Sequence, residues 1–442
     1  MVDTEVLVVG AGPVGLTAAI ECARRGVACR IVDALPEPPR YAKAVGVQPR
    51  TLEVFESMGV LREILDASAP MRGQLVYVDG VRTGRLELAL PPSIPYGFLG
   101  LPQYETERVL RERLTACGVR VERELRLSAF EQDQTGVTAT LAAADGSERQ
   151  VRASYLVGCD GAHSVVRKGV GPAFEGGAFA EQYMLGDVEL SWSQPVGYGV
   201  GFRRGRRRAH PPAHRCAGHE HRNPGRAQSG LETGAGGVRA GRAGSAVHLR
   251  PRTSSGRRGG GGTHRARRAG GIGAGERDPA RVMARAAQLL IDDRDSPLVG
   301  GTTGRGPRPG SRAPDAMGLT RELVGFPLHL FGLLAGAEHT LLLYADGGVD
   351  ASGLAWFEEI ADAARAAAHG RLEVYLPAAP DAEVDGAALP VIRDAAGEFV
   401  RAYDAVHRAV YLVRPDGYLG YSAVDPRPGE LAEHAEATFA RP

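Results

Sequence analysis

A chain of 442 residues is too long for a single hydrophobic core and implies two or three domains. Its hydrophobic fraction of 43% is that of an ordinary globular enzyme, and no apolar run reaches the roughly 18 residues of a membrane span, which argues against a membrane protein. The five cysteines show no paired metal-ligand spacing, and the chain opens on Asp3 and Glu5 rather than on a basic leader. We therefore expect a reducing, cytoplasmic location without disulfides and without a metal site.

The net charge of +1 hides a strongly basic segment. Between Arg203 and Arg268 the sequence contains 17 Arg and only two Glu, a local charge of about +15, so the rest of the chain is acidic at about −14. This contrast indicates two different kinds of sequence in one chain.

The N-terminus contains a strand, a glycine-rich turn and a helix. An apolar run at 6–9 leads into the letters G-A-G-P-V-G at 10–15, which match the pattern G-x-G-x-x-G. In this pattern Gly10 permits a tight turn, Gly12 lets the backbone approach a pyrophosphate, and Gly15 allows the helix to pack closely on the strand. The free N–H groups of the helix, which begins at Pro13 and Val14, would face the anion.

A second strand and an acidic residue complete this pattern. The helix at about 14–25 ends at Gly26, and the strand at 27–32 finishes on Asp33, at the distance expected for an acid that binds a ribose hydroxyl. These features together predict a Rossmann-like α/β domain that binds a dinucleotide. The alternative is an ordinary strand–turn–helix that happens to be rich in glycine.

Three further polar residues follow in the next hundred positions. Arg40 and Lys43 lie in a proline-rich loop, where they would sit near phosphates or would simply be solvated. An amphipathic pattern predicts one helix over 50–65. Gln103 precedes another helix, so its amide either faces a ligand or caps the helix.

A buried strand at 153–158 again ends on an acid and a glycine, Asp160 and Gly161. At the carboxyl end of a strand in a doubly wound sheet, this is where a second contact to an extended cofactor would lie. A plain Asp-Gly turn is the alternative.

Taken together, these motifs resemble the class A flavoprotein monooxygenases. The resemblance rests on the glycine turn, on Gln103 before a helix and on the letters C-D-G-A-H-S-V-V-R at 159–167, while P-R-T-L-E at 49–53 is similar to the aromatic-polyketide hydroxylase branch. It implies FAD as cofactor, NADPH or NADH as co-substrate, and O2 as the source of a hydroxyl group for a phenolic or polycyclic aromatic polyketide. Baeyer–Villiger oxygenases and flavin halogenases are the rivals on this scaffold.

The resemblance also implies roles for the candidate residues. Those expected to bind the ADP half of FAD lie in the first βαβ unit: Gly10, Gly12, Pro13, Val14, Gly15 and Asp33. Those expected near the ribityl chain or the pyrophosphate are Gln103, Asp160 and Gly161, and Arg40 and Lys43 fall where the family carries arginines near the flavin, although the local spacing is unusual. No catalytic residue can be assigned, because the substrate pocket is the part of the family pattern that is missing.

The family pattern breaks off near Arg203. Its third motif, Gly-Asp followed by Ala-Ala-His and Pro, is absent, and from 204 to 275 there is no Phe, Tyr, Trp, Met, Lys or Asp. Such a segment cannot bury enough apolar surface to fold, so we expect it to be disordered. One interpretation is an Arg/Gly-rich insert that binds nucleic acid, but it lacks the aromatic residues that stack on bases.

The other interpretation is translation out of frame, which we favour, so that nucleic acid is an unlikely partner. Joining the last two bases of each codon to the first base of the next lets the residues at 205–212 encode Gly-Asp-Ala-Ala-His-Thr-His-Pro, the missing motif. Residues 222–233 likewise permit Gly-Ile-Gln-Asp-Ala-His-Asn-Leu-Gly-Trp-Lys-Leu, the family's helix at the flavin ring. The frame is restored by about Asp278, and most of the substrate sheet is missing as well.

The C-terminal third is similar to the thioredoxin-like domain that closes these hydroxylases, with predicted strands at 339–344, 372–376 and 409–421. No cysteine lies beyond Cys216, which excludes dithiol chemistry there and leaves packing or homodimer formation as its role. The predicted divisions are an FAD-binding domain with a truncated substrate sheet at 1–180 and 181–203, the basic segment at 204–275, a helix and linker at 276–310, and the thioredoxin-like domain at 311–442. We expect the chain in this form to be inactive and at best a weak FAD binder.

Overall fold

The computed structural model of the protein describes residues 2–41, 43–176, 191, 193–203, 278–301 and 306–439. The basic segment at 204–275 and residues 181–190 and 192 of the predicted substrate-sheet remnant lie outside these residues, so the predictions made for them stay predictions. The chain forms two compact units. The first comprises Met1–Ser68, Leu90–Gly171 and Ala284–Pro442, and the second comprises Ala69–Ala89 and Pro172–Met283.

The first half of the chain contains both helices and strands. In chain order they are β1 Thr4–Val9, α1 Pro13–Ala23, β2 Cys29–Val32, β3 Gly46–Val47, α2 Pro49–Ser57, α3 Leu61–Ala67, β4 Ala69–Met71, β5 Gly73–Val78, β6 Val81–Glu87, β7 Phe98–Gly100, α4 Gln103–Ala116, β8 Val121–Glu122, β9 Leu125–Asp133, β10 Gly136–Ala143, β11 Glu148–Gly158, α5 Val165–Val170 and β12 Tyr198–Arg203.

The first unit is built on a six-stranded sheet in the order β8-β2-β1-β11-β10-β9. Strands β8, β2, β1 and β11 run parallel, and β10 and β9 are antiparallel. The apolar run of β1 lies between two neighbours and is buried on both faces, with Leu7 and Val8 fully inaccessible. This is the pattern expected for a central parallel strand, and it confirms an α/β domain around the glycine-rich turn.

The helix predicted over 50–65 is wrong as a single element. Helix α2 ends at Ser57 and α3 begins at Leu61, with Gly59 between them in the left-handed region at φ +71°. Glycine adopts this conformation without the penalty that a Cβ imposes, so the chain turns here although the apolar spacing continues.

The remaining elements belong to the C-terminal part of the chain. They are α6 Pro279–Ala286, β13 Gly300–Gly301, α7 Leu330–Leu333, β14 His339–Tyr344, α8 Ala351–Ala367, β15 Leu372–Ala378, β16 Val391–Arg393, α9 Glu398–Tyr403, β17 Ala409–Val413, β18 Leu419–Val424 and α10 Pro428–Phe439.

A second six-stranded sheet organises this part, in the order β13-β18-β17-β14-β15-β16. Strands β14 and β15 are parallel and are joined by α8, whereas β17 runs antiparallel to both β14 and β18. The core beneath the sheet is rich in aromatic residues, including Phe357, Phe399 and Tyr403, all fully buried. The strands expected at 339–344, 372–376 and 409–421 are therefore present.

The second unit contains a small mixed sheet. Strand β5 pairs antiparallel with β6 and parallel with β12, which is part of the predicted remnant of the substrate sheet. Across the part of the chain that the model describes, no helix has both the length and the apolar character needed to cross a membrane.

Candidate functional site

The glycine-rich turn between β1 and α1 depends on two close backbone approaches. Gly10 has φ +101°, and a Cβ there would lie 2.3 Å from the carbonyl oxygen of Cys159. A Cβ on Gly15 would lie 1.8 Å from the carbonyl oxygen of Gly10. Neither position accepts a side chain without moving backbone, which is the physical reason for glycine at both.

Gly12 has a different role because its surroundings are open. No atom lies within 4 Å of the position of a Cβ, and the residue is extended at φ −75° and ψ −177°. It caps α1 with no side-chain hydrogen bond, and Pro13 occupies the first turn. The first N–H groups of α1 therefore have no side-chain acceptor, and Val14 beside them is 67% exposed, which leaves the helix N-terminus accessible to an anion.

Asp33 follows β2 and holds the turn in shape. Its Oδ2 accepts a hydrogen bond from the amide of Ala11 at 2.7 Å, and its Oδ1 accepts one from the amide of Leu35 at 2.9 Å. A carboxylate has about four acceptor positions, so Asp33 retains capacity for a hydroxyl group.

Asp160 lies at the end of β11, with Gly161 in the left-handed region at φ +76° directly after it. The Oδ2 atom of Asp160 accepts hydrogen bonds from the amides of Val165 at 2.6 Å and Val166 at 3.3 Å. Its Oδ1 atom is buried and has no hydrogen-bond partner. A buried carboxylate oxygen without a donor is costly, so this atom indicates the position of a missing donor.

The topology brings these groups together. Strands β2, β1 and β11 are parallel neighbours, and Val9 at the end of β1 is in register with Val32 and Gly158. Their carboxyl ends consequently meet at one edge of the sheet, where they place Asp33, the glycine turn and Asp160 side by side. In open α/β sheets this edge is where ligands bind.

The other three predicted residues are differently placed. The side chain of Arg40 is 91% exposed and lies 3.5 Å from Glu37, and the Lys43 ammonium lies 5.6 Å from the ring centre of Tyr41. Both arrangements agree with the interpretation as solvated loop charges. Gln103 begins α4, and its Nε2 donates to Oε1 of Glu107 at 2.8 Å, so it neither caps the helix nor lacks a partner.

Sequence reasoning missed two residues at this edge. Arg123 follows β8, and its Nη1 lies 3.3 Å from Oδ1 of Asp33. No local sequence pattern marks it, because its pairing with Asp33 depends on β8 lying beside β2 in the sheet. Cys159 packs against the glycine turn, where burial and the neighbouring Asp160 carboxylate raise the pKa of its thiol to about 11 and keep it neutral.

Comparisons with known proteins bear on the same region. Residues 3–196 match the family model described as "FAD binding domain". The rifampicin monooxygenase of Streptomyces venezuelae is 38% identical over 193 residues, which are 43% of this chain and 38% of that protein. Over this N-terminal region the chain is similar to class A flavoprotein monooxygenases. The 6-methylpretetramide 4-monooxygenase of Streptomyces rimosus is similar at 36% identity over 189 residues, 42% of this chain and 33% of that enzyme.

The chain matches about two fifths of the length of such curated relatives. Two solved structures extend the likeness in fold over the whole chain. The flavin-dependent monooxygenase PieE, solved with FAD and substrate, has a TM-score of 0.63 at 19% identity and covers 99% of both chains. Aklavinone-11 hydroxylase, solved with FAD and aklavinone, has a TM-score of 0.62 at 19% identity and covers 100% of both.

The residues at the sheet edge fit an FAD molecule. The open space at Gly12 and the accessible N-terminus of α1 suit a pyrophosphate, and Asp33 has acceptor capacity for a ribose hydroxyl. The unpartnered Oδ1 of Asp160 suits a hydroxyl donor of the same extended cofactor.

Proposed function

We propose that this flavoprotein is derived from an FAD-dependent aromatic hydroxylase that uses NADPH or NADH and O2 to hydroxylate a phenolic or polycyclic aromatic polyketide. The observation that carries the proposal is the convergence of the glycine turn, Asp33 and the unpartnered Oδ1 of Asp160 at one sheet edge. The polyketide substrate class is supported by relatives named for tetracycline-type substrates, such as the enzyme of Streptomyces rimosus.

Under this proposal the chain binds and orients the cofactor. The N–H groups of α1 bind the pyrophosphate. Asp33 accepts a hydrogen bond from a ribose hydroxyl while it keeps its hydrogen bonds from the amides of Ala11 and Leu35. Asp160 accepts a hydrogen bond from a further hydroxyl group at Oδ1 while Oδ2 keeps its bond from the Val165 amide. Bound FAD supplies the oxidation–reduction chemistry, and the protein contributes position and electrostatics. Arg40, Lys43 and Gln103 remain proposed contacts.

We further propose that the present chain does not complete the reaction. The Gly-Asp motif and the helix that should follow it at the flavin ring are absent from the sequence, and the codons of 205–233 permit them in the neighbouring reading frame. We propose that loss of that helix removes the N–H donors that would stabilise charge on the reduced flavin.

The same proposal covers the C-terminal third. Its β14-α8-β15 unit, followed by the antiparallel β17 and β18 and by α10, supports a thioredoxin-like domain at 311–442. We likewise propose the division of the N-terminal part into an FAD-binding domain at 1–180 and a remnant of the substrate sheet at 181–203. A homodimer would form through the C-terminal domain.

The test is NADPH oxidation with added FAD and phenolic polyketides under labelled dioxygen. We expect negligible substrate-stimulated turnover by the present chain. A matched variant in which 205–275 is rewritten in the adjacent frame should bind FAD more tightly. Robust turnover by the present chain would contradict its proposed inactivity, and ring insertion of oxygen by either chain would contradict the hydroxylase lineage.

A further inference from the structure

Helix α2 is held by a buried carboxylate that two arginines share. The side chain of Glu53 is only 2% exposed, and its Oε2 accepts hydrogen bonds from Arg50 at 2.8 Å and from Arg312 at 2.7 Å. Arg312 lies 259 positions away in the sequence, and its side chain is 10% exposed. Removing Glu53 would take the shared carboxylate away from both buried guanidinium groups, and Arg312 is the member that fixes α2 against the C-terminal part of the same unit.

A histidine makes a second attachment to the same helix. His329 lies with Nε2 3.0 Å from Glu56 on α2 and with Nδ1 3.1 Å from Asp315. The Asp315 side chain is 2% exposed, and its Oδ1 accepts from the amides of Ala316 and Phe331, so it is a fixed anchor. His329 therefore links α2 to a rigid turn of the C-terminal part.

Helix α1 also contacts the end of α2 and the C-terminal part of the unit. Arg24 at its end donates through Nη1 to the carbonyl oxygens of Ser57 at 2.9 Å and Ala335 at 3.3 Å. We call the residues 312–335 that make these contacts the C-terminal arm. The arm thus attaches both to α2 and to the helix that begins at the glycine turn.

Helix α2 is connected through β3 to the loop that carries Lys43. It begins at Pro49 immediately after β3, which pairs with β7. On the same side the amide of Leu101 donates to Val45 at 2.7 Å, and that of Gln103 donates to Ala44 at 3.0 Å. A shift of α2 would pull on β3 and therefore on these two hydrogen bonds.

We infer that Glu53 and His329 are positioning residues through which the C-terminal arm holds the 43–48 segment in place for the flavin. The flavin part of this inference rests on the proposed function, whereas the coupling between the arm and the segment does not. The C-terminal third accordingly serves the cofactor site without contributing a redox group.

The experiment replaces Arg312 in the full chain and follows hydrogen exchange at single amides. In Arg312→Met the amides of Leu101 and Gln103 should exchange about tenfold faster, while the Cys159 amide, bonded to Val9 in the main sheet, stays unchanged. Arg312→Lys keeps the charge beside Glu53 and should restore much of the protection.

A matched control and a milder variant separate coupling from general loss of stability. Arg408→Met removes an ion pair with Asp425 in the C-terminal sheet and should leave both amides as in the parent. If Arg312→Met does not fold, Glu56→Gln weakens the His329 contact while leaving the Glu53 network in place, and should accelerate the same amides less. Unchanged exchange at Leu101 and Gln103 in the folded variant, or equal acceleration in Arg408→Met, would overturn the inference.

FAD titration of the same proteins distinguishes this inference from the proposed function. We expect the dissociation constant of Arg312→Met to rise about tenfold above that of the parent and that of Arg408→Met to stay unchanged. A parent chain without FAD affinity would contradict the proposed function, while the exchange data would still decide the coupling. Faster exchange with unchanged FAD affinity would overturn the role of the arm in flavin binding.

Discussion

His329 provides a pH-dependent test of the contacts between the C-terminal arm and α2. Hydrogen bonds to Asp315 and then Glu56 raise the pKa of His329 from 6.5 to about 10. The folded pKa lies above the unfolded one, so the stabilisation is fully present below about pH 6.5 and is lost as the pH rises toward 10. Replacing His329 with Gln should therefore destabilise the protein at neutral pH and have little effect near pH 10.

The pKa shift sets the size of this effect. At about 1.4 kcal/mol per pH unit, the full shift gives an upper limit of about 5 kcal/mol. Because 29% of the His329 side chain is exposed, solvent screens the two ion pairs, and we expect about 2 kcal/mol at neutral pH. This remains a large fraction of the stability of a typical domain.

Urea unfolding of both proteins between about pH 6 and pH 10 measures the difference. The gap in unfolding free energy between the parent and His329→Gln should shrink steadily across this range. The control is His407→Gln, since His407 lies 3.6 Å from Asp346 with 75% of its side chain exposed, and it should behave like the parent. A gap that is absent, or that stays constant with pH, would refute the role of protonated His329.

Three further predictions concern the glycine turn, Asp160 and the basic segment. Gly15→Ala should lower the unfolding free energy by about 2 kcal/mol or more, because its Cβ would lie 1.8 Å from the carbonyl oxygen of Gly10. Gly12→Ala is the control, since no atom lies within 4 Å of its Cβ position. Equal urea midpoints for the two variants would contradict this prediction. Asp160→Asn keeps an acceptor for the Val165 amide and should lower the unfolding free energy by less than about 1 kcal/mol. It should nevertheless weaken FAD binding in a fluorescence titration. Unchanged FAD affinity would show that Oδ1 of Asp160 does not contact the cofactor. The gene's codons from 205 onward should spell Gly-Asp-Ala-Ala-His in the adjacent frame, and any other sequence there would require the basic segment to be treated as a real insert.

The glycine turn could be predicted from sequence because the strand, helix and acid that accompany it are adjacent in sequence. The contact that requires Gly15 is with Gly10, whereas the close approach at Gly10 is to Cys159 after β11 and could not be read from the local pattern. Asp160 could be found because it follows the strand predicted at 153–158, although only Ala153 of that stretch is buried in the structure.

The contacts of α2 could not be predicted in this way. The apolar spacing at 50–65 is compatible with one helix, and only the backbone conformation of Gly59 shows that there are two. The partners of Glu53 and Glu56 come from Arg312 and His329, and no local pattern links residues so far apart in the chain. The contact of Arg123 could not be predicted either, because its pairing with Asp33 depends on which strand lies beside β2.

Titration of the purified chain with FAD tests most directly whether the glycine turn is the flavin site. Binding is monitored by the quenching of flavin fluorescence. We expect saturable binding of one FAD per chain. Binding should be weakened in Asp33→Ala, which removes the acceptor for the ribose, and in Gly12→Val, which places a side chain where the pyrophosphate must lie. FAD binding of equal affinity in the parent and in both variants would contradict the assignment of the glycine turn as the flavin site.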